Sequence, residues 1–136
     1  MKTSKFVFAV LLLLMGSLTT ELLAQKQLEA FVKKCSENKS IDKSVVQRKN
    51  PQTKVLEEII RSYSFSENQS LLQELKNAFE QDKADAYQVI ENENNGNVNC
   101  FLRFAKDKGN IVYSMDVNDN GASLTVIERF GVKDDE

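Results

Sequence analysis

The first apolar stretch of the chain, Phe6 to Met15, is unbroken and follows Lys2 and Lys5. A basic start, a short apolar centre and a small residue before the scissile bond are the parts of a secretory signal, and Ala24 before Gln25 supplies the cut. Uncharged residues run only from Phe6 to Thr20, short of the roughly 18 to 20 apolar residues that cross a bilayer. No cysteine directly follows the run, at the expected cut, to accept a lipid. The expectation is a signal peptide over 1–24 and one mature domain over 25–136, exported to the periplasm or beyond the cell, with no membrane span after cleavage.

After Gln25 the apolar positions fall into helical spacing. Leu28, Phe31, Val32 and Cys35 recur at i, i+3, i+4 and i+7, which predicts an amphipathic helix from Gln25 to about Glu37. Lys43 to Arg48, centred on Val45 and Val46, reads as a short edge strand. Asn50-Pro51 has the chemistry of a helix start, because Asn caps free N–H groups and Pro at the first helical position has none to lose. The stripe Val55, Leu56, Ile59, Ile60 and Tyr63 then predicts a second helix. A third begins at the capping pattern Ser66-x-x-Gln69, carries Leu71, Leu72, Leu75, Ala78 and Phe79 on one side, and ends near Asp82.

From Ala86 the period changes to two, and Gly96, Gly109 and Gly121 divide the remainder into four strand-length pieces. Turns centred on Asn95-Gly96, Lys108-Gly109 and Asn120-Gly121 put Val89, Leu102, Phe104, Tyr113, Met115, Val117, Leu124 and Val126 on one face. The predicted fold is α+β: three helices on one face of a four-stranded antiparallel meander, with the short edge strand as an addition. The other face carries polar residues together with Ile90, Phe101, Val112 and Ile127. Those four read either as ordinary surface apolars or as an interaction face for an envelope protein or a second copy.

Composition narrows the chemistry. The full chain has 18 basic and 20 acidic residues. Removing Lys2, Lys5 and Glu21 with the signal leaves 16 and 19, a formal charge of −3, which is not the balance of a nucleic-acid-binding domain. Seven basic residues lie between Lys33 and Lys54 against Glu37 and Asp42. Lys33, Lys34, Arg48 and Lys49 therefore form a candidate basic surface for an anionic glycan or membrane surface, the alternative being solvated charge balanced by the acidic remainder and its tail Asp134, Asp135, Glu136.

Histidine is absent, which removes Ser-His-Asp and Cys-His nucleophiles, histidine acid-base chemistry and His-containing zinc sites. No cofactor or catalytic residue is indicated. Asp116, Asn118, Asn120 and Gly121 match the first half of a calcium loop, but Ile127 stands where the bidentate Glu belongs, and a hairpin turn explains the same residues. Cys35 and Cys100 both face the predicted core of an exported chain, so a structural disulfide is expected, with two separate buried thiols as the alternative. Asn38-Lys39-Ser40 and Asn68-Gln69-Ser70 have the form of glycosylation acceptors.

Several short segments carry a family resemblance: Leu23-Ala24-Gln25, Phe31-Val32-Lys33-Lys34-Cys35, Ser44-Val45-Val46, Asn50-Pro51-Gln52-Thr53-Lys54 and Val126-Ile127-Glu128-Arg129. In these the chain resembles small exported proteins of unknown function common in Bacteroides-type gut bacteria. The resemblance implies a periplasmic or cell-surface setting and carries no activity. The functional expectation is a non-enzymatic binding or interaction module, with a small carboxylate-dependent hydrolase acting on envelope or dietary glycan as the alternative.

Overall fold

The computed structural model describes residues 25–66 and 68–131; the signal reading over 1–24 and the acidic tail lie outside them. The chain runs α1 (Lys26–Glu37), β1 (Asp42–Lys49), β2 (Leu56–Phe65), α2 (Gln69–Asp82), a short 3-10 turn, β3 (Gln88–Asn94), β4 (Asn97–Lys106), β5 (Gly109–Asn118) and β6 (Gly121–Phe130). The six strands make one antiparallel sheet in the order β1-β2-β6-β5-β4-β3. Two helices and six strands thus replace the expected three helices on a four-stranded meander.

The correction lies in Leu56–Phe65. Leu56, Ile59, Ile60 and Tyr63 suit a helical stripe, but the same segment alternates, with Tyr63 and Phe65 buried and Ser64 exposed. β-Branched and aromatic residues fit a pleated surface well, and pairing on both sides decides the outcome. β2 bonds to β1 on one edge and to β6 on the other. Asn50 does cap free N–H groups, its Oδ1 accepting from Gln52 and Thr53 at 2.9 and 3.0 Å. The helical turn stops there because Lys54 takes a left-handed conformation, φ 65°. Asn50-Pro51 is consequently the bend of the β1–β2 hairpin.

The late strands keep their predicted faces but not all their partners. Asn95-Gly96 is the turn expected, with φ of 52° and 83°, and Val89 faces Leu102. The next two turns fall one residue earlier than expected, at Asp107-Lys108 and Asp119-Asn120, which shifts each pairing by two, so Leu102 faces Tyr113 instead of Met115, and Val117 faces Ala122 instead of Leu124. Gly109 and Gly121 are the cause. Each begins a strand where a neighbouring backbone comes so close that a Cβ would overlap a carbonyl oxygen, that of Arg129 or Phe65 respectively. A shift of two residues preserves facing, which is why the core set was legible while the register was not.

Both helices pack on the face formed by Tyr63, Phe65, Leu102, Phe104, Tyr113, Leu124 and Val126, all buried. They run antiparallel: Asp82 at the end of α2 accepts a 2.7 Å hydrogen bond from the Leu28 amide at the start of α1, while Lys34 near the end of α1 pairs with Glu74. A carboxylate at a helix N-terminus satisfies an orphan donor and complements the dipole, a contribution of about 1–2 kcal/mol. Burial nevertheless pushes the Asp82 carboxyl above its ordinary range, against the hydrogen bonds from Leu28 and Gln27.

Candidate functional site

Antiparallel pairing sorts the face without helices into rows that cross the sheet. Asp42, Ser64, Ser123 and Asp116 stand side by side on β1, β2, β6 and β5. Two residues along each strand the next row is Ser44, Ser62, Thr125 and Ser114. The row after that is Val46, Ile60, Ile127 and Val112. Carboxyls and hydroxyls therefore share one half of this face, and a β-branched apolar row borders them.

At the end of the first row the surface deepens into an open cavity of about 410 Å³, lined by Asp42, Ser64, Ser123 and Asp116 together with Asn68 and Asn118. Its wall is built by the start of α2 and the β5–β6 turn. Asn68 caps α2, its Oδ1 accepting from the Leu71 amide at 3.0 Å. Asn118 Oδ1 likewise accepts from the Asn120 amide at 2.9 Å. Both oxygens are tied to the backbone, which leaves the amide N–H2 groups as the donors these side chains bring. No lysine or arginine lines the cavity. Asp42 and Asp116 are three strand spacings apart, about 14 Å along the row.

A second groove, about 510 Å³, lies between α2 and the β3–β4 hairpin over Phe79, Val98, Cys100 and Met115. Its rim carries an ion-paired triad: Lys83 bonds both Glu80 and Glu91, and these hydrogen bonds, Glu91 foremost, push the ammonium pKa up.

The two cysteines are free and buried, which corrects the expected disulfide. The end of α1 sits over β2, where Ser36 Oγ is 3.1 Å from the Tyr63 hydroxyl and Phe31 meets Phe65 at 6.4 Å between ring centroids. Cys100 is on β4. The strand order puts three spacings between β2 and β4, about 14 Å against the roughly 7 Å that a disulfide spans between Cα atoms. Burial, with Glu74 beside Cys35 and Glu91 beside Cys100, pushes each thiol up to about 11, so both stay protonated at neutral pH.

Of the apolar set, Ile127 faces Val112 and Ile90 faces Phe101 on the same side of the sheet, with the Arg103 guanidinium 5.4 Å from the Phe101 ring centroid. Val46 and Ile60 extend the first pair into a row of four and were missed because β2 was read as a helix. The hydroxyl row was missed for the same reason. The basic set is divided. Lys34 pairs with Glu74, and Arg48 with Glu57 and Glu58. Lys33 and Lys34 lie near the Lys43 end of β1, where Lys43 bonds the Ser36 carbonyl. Arg48 and Lys49 occupy its other end, about 20 Å away along the strand.

Asp119 and Asn120 make the β5–β6 turn, Asn118 and Gly121 pair at its base and Asp116 stands two residues back on β5, and among the described residues no cluster of three His, Cys, Asp or Glu side chains is placed to hold a metal. Asn38 Oδ1 accepts from the Ser40 amide and hydroxyl, at 2.9 and 2.7 Å, in an exposed turn. No described helix is long and apolar enough to cross a membrane.

On the helix-covered face, beyond the core, Glu128 is held by Arg61 at 2.6 Å and Lys106 at 3.2 Å. Burial raises the Glu128 carboxyl, but these two cations more than offset it and the net shift is downward. A lowered carboxyl stabilises the fold fully above the ordinary value of 4.5 and loses that contribution as pH falls through the folded-state value. Urea titrations of wild type and Glu128→Gln should accordingly differ by about 1 kcal/mol at pH 7 and converge near pH 2. A difference that persists in acid would mean the ion pairs are not its source.

No curated protein and no solved structure matches the chain. One family model does match, over residues 25–127, and by that match the chain belongs to the family described as Domain of unknown function (DUF5024).

Proposed function

We propose that the protein is exported and that its mature domain is a non-enzymatic binding module of the periplasm or cell surface, using the polar cavity and the hydroxyl rows beside it. Export rests on the basic and apolar pattern before Ala24, and the family match beginning at residue 25 agrees with a mature start there. The observation that carries the binding reading is the spacing of Asp42 and Asp116. Glycoside hydrolysis uses two carboxyl groups about 5 to 9.5 Å apart, whereas these stand on strands about 14 Å apart with Ser64 and Ser123 between them. Two closer pairs of acids are already engaged, Glu80 and Glu91 by Lys83 and Glu57 and Glu58 by Arg48. Such an arrangement can hydrogen-bond a ligand but supplies no acid-base pair.

The test is expression of the full chain in a bacterial host, with fractionation and incubation of the product with envelope and plant polysaccharides. The expected product is found outside the cytoplasm, starts at Gln25 and releases no reducing ends. Cytoplasmic protein retaining Met1 to Ala24 would refute export, and reducing ends lost on Asp116→Asn would make the protein a hydrolase.

A further inference from the structure

We infer that this site takes an uncharged, polyhydroxylated ligand, a saccharide of two or more rings lying across β1, β2, β6 and β5; the inference rests on the binding reading above. Six hydroxyls, from Ser44, Ser62, Ser64, Ser114, Ser123 and Thr125, occupy two adjacent rows of one face. Each is both donor and acceptor, and they repeat at about 4.8 Å between strands and 6.8 Å along them. The cavity adds Asp42 and Asp116 as acceptors and the Asn68 and Asn118 amides as donors. A ligand that makes good every one of these groups must itself offer donors and acceptors at short intervals, which hydroxyl groups on linked rings do.

Other ligand classes fit less well. An anion would find no lysine or arginine among the lining residues and would meet two carboxyl groups. Calcium needs six to eight oxygens at about 2.3–2.6 Å, and side chains from strands about 14 Å apart cannot share one ion. An apolar ligand would bury the hydroxyl rows without partners, at a cost for each. The neighbouring row Val46, Ile60 and Ile127, by contrast, offers the C–H faces of sugar rings an apolar border, with Val46 56% exposed. The site crosses four strands, about 14 Å, which is why one ring would leave part of it empty.

The experiment is an amide NMR titration of the mature domain with cellobiose, maltotriose, mannobiose and diacetylchitobiose, with separate arms of trigalacturonate and calcium chloride. Titration up to about 10 mM reaches ligands of millimolar Kd. At least one neutral saccharide should shift the Ser62, Ser64, Ser123 and Asn118 amides saturably. Ser62→Ala combined with Ser123→Ala should weaken that binding about tenfold with the spectrum otherwise retained, and Asn118→Ala serves if the pair disturbs the fold. No response to any neutral saccharide at these amides overturns the ligand class, as does tighter binding of trigalacturonate or calcium. In those last two cases a binding module remains and only its ligand is different, whereas reducing ends released from a titrant would defeat the binding reading itself.

Discussion

Gly109→Asn is expected to destabilise the domain by about 3 kcal/mol, as much as Gly109→Ala. Were Lys108-Gly109 the centre of a two-residue turn, asparagine would be among the best replacements, since it tolerates positive φ. Gly109 instead opens β5 opposite Phe130, and any Cβ there meets the Arg129 carbonyl oxygen. A clash with backbone is not relieved by choosing a side chain suited to turns. Chemical denaturation of the two variants separates these readings. Near-wild-type stability of Gly109→Asn, with only Gly109→Ala impaired, would restore the turn and the shifted register that goes with it.

Phe79→Ala should cost about 3–5 kcal/mol, a large share of the roughly 5–15 kcal/mol that holds a domain folded. Phe79 lies on the inner stripe of α2, is 2% exposed and belongs to the single core between helices and sheet. Removing its ring leaves a cavity beneath the groove over Cys100 and Met115, where the β4 and β5 backbones cannot close in without breaking their ladders. For a domain of about 100 residues the loss corresponds to a fall in Tm of roughly 15–30 °C. Ile90→Ala is the matched control, because Ile90 is 47% exposed on the other face and should cost about 0.5 kcal/mol or less. Equal effects of the two substitutions would mean that α2 does not cover the sheet as described.

What the chain revealed before its structure follows from which signals are local. The stripe of α1, the stripe of α2 and the period-two run after Ala86 depend on near neighbours, and each of those elements is present. Leu56–Phe65 was ambiguous because Leu56, Ile59, Ile60 and Tyr63 satisfy a helix while Tyr63, Ser64 and Phe65 satisfy a strand. Only its partners settle the matter, and one of them, Thr125 opposite Ser62, lies far along the chain. The cysteines show a related limit: burial of Cys35 and Cys100 could be read from periodicity, but their lateral separation needed the strand order.

The candidate site was the least legible part. Serine and threonine spaced two apart on four strands form no motif along the chain, and they become a surface only when β2 inserts between β1 and β6. Asp116, Asn118 and Asn120 were singled out as half of a calcium loop, yet they serve as one wall of a polar cavity whose other wall comes from β1, β2 and the start of α2. The apolar set Ile90, Phe101, Val112 and Ile127 was placed on the correct side of the sheet, because a slip of two residues keeps facing. Its continuation through Val46 and Ile60 was hidden by the helical reading.

Everything proposed for the site depends on Leu56–Phe65 being a strand in register with β6. Cross-strand NOEs in the mature domain measure that directly. Contacts joining Ser62 to Thr125 and Ser64 to Ser123, with none between residues three apart within Leu56–Tyr63, are the expected result. Sequential i to i+3 contacts through Leu56, Ile59 and Ser62 would restore the helix, separate β1 from β6 and dissolve the hydroxyl rows.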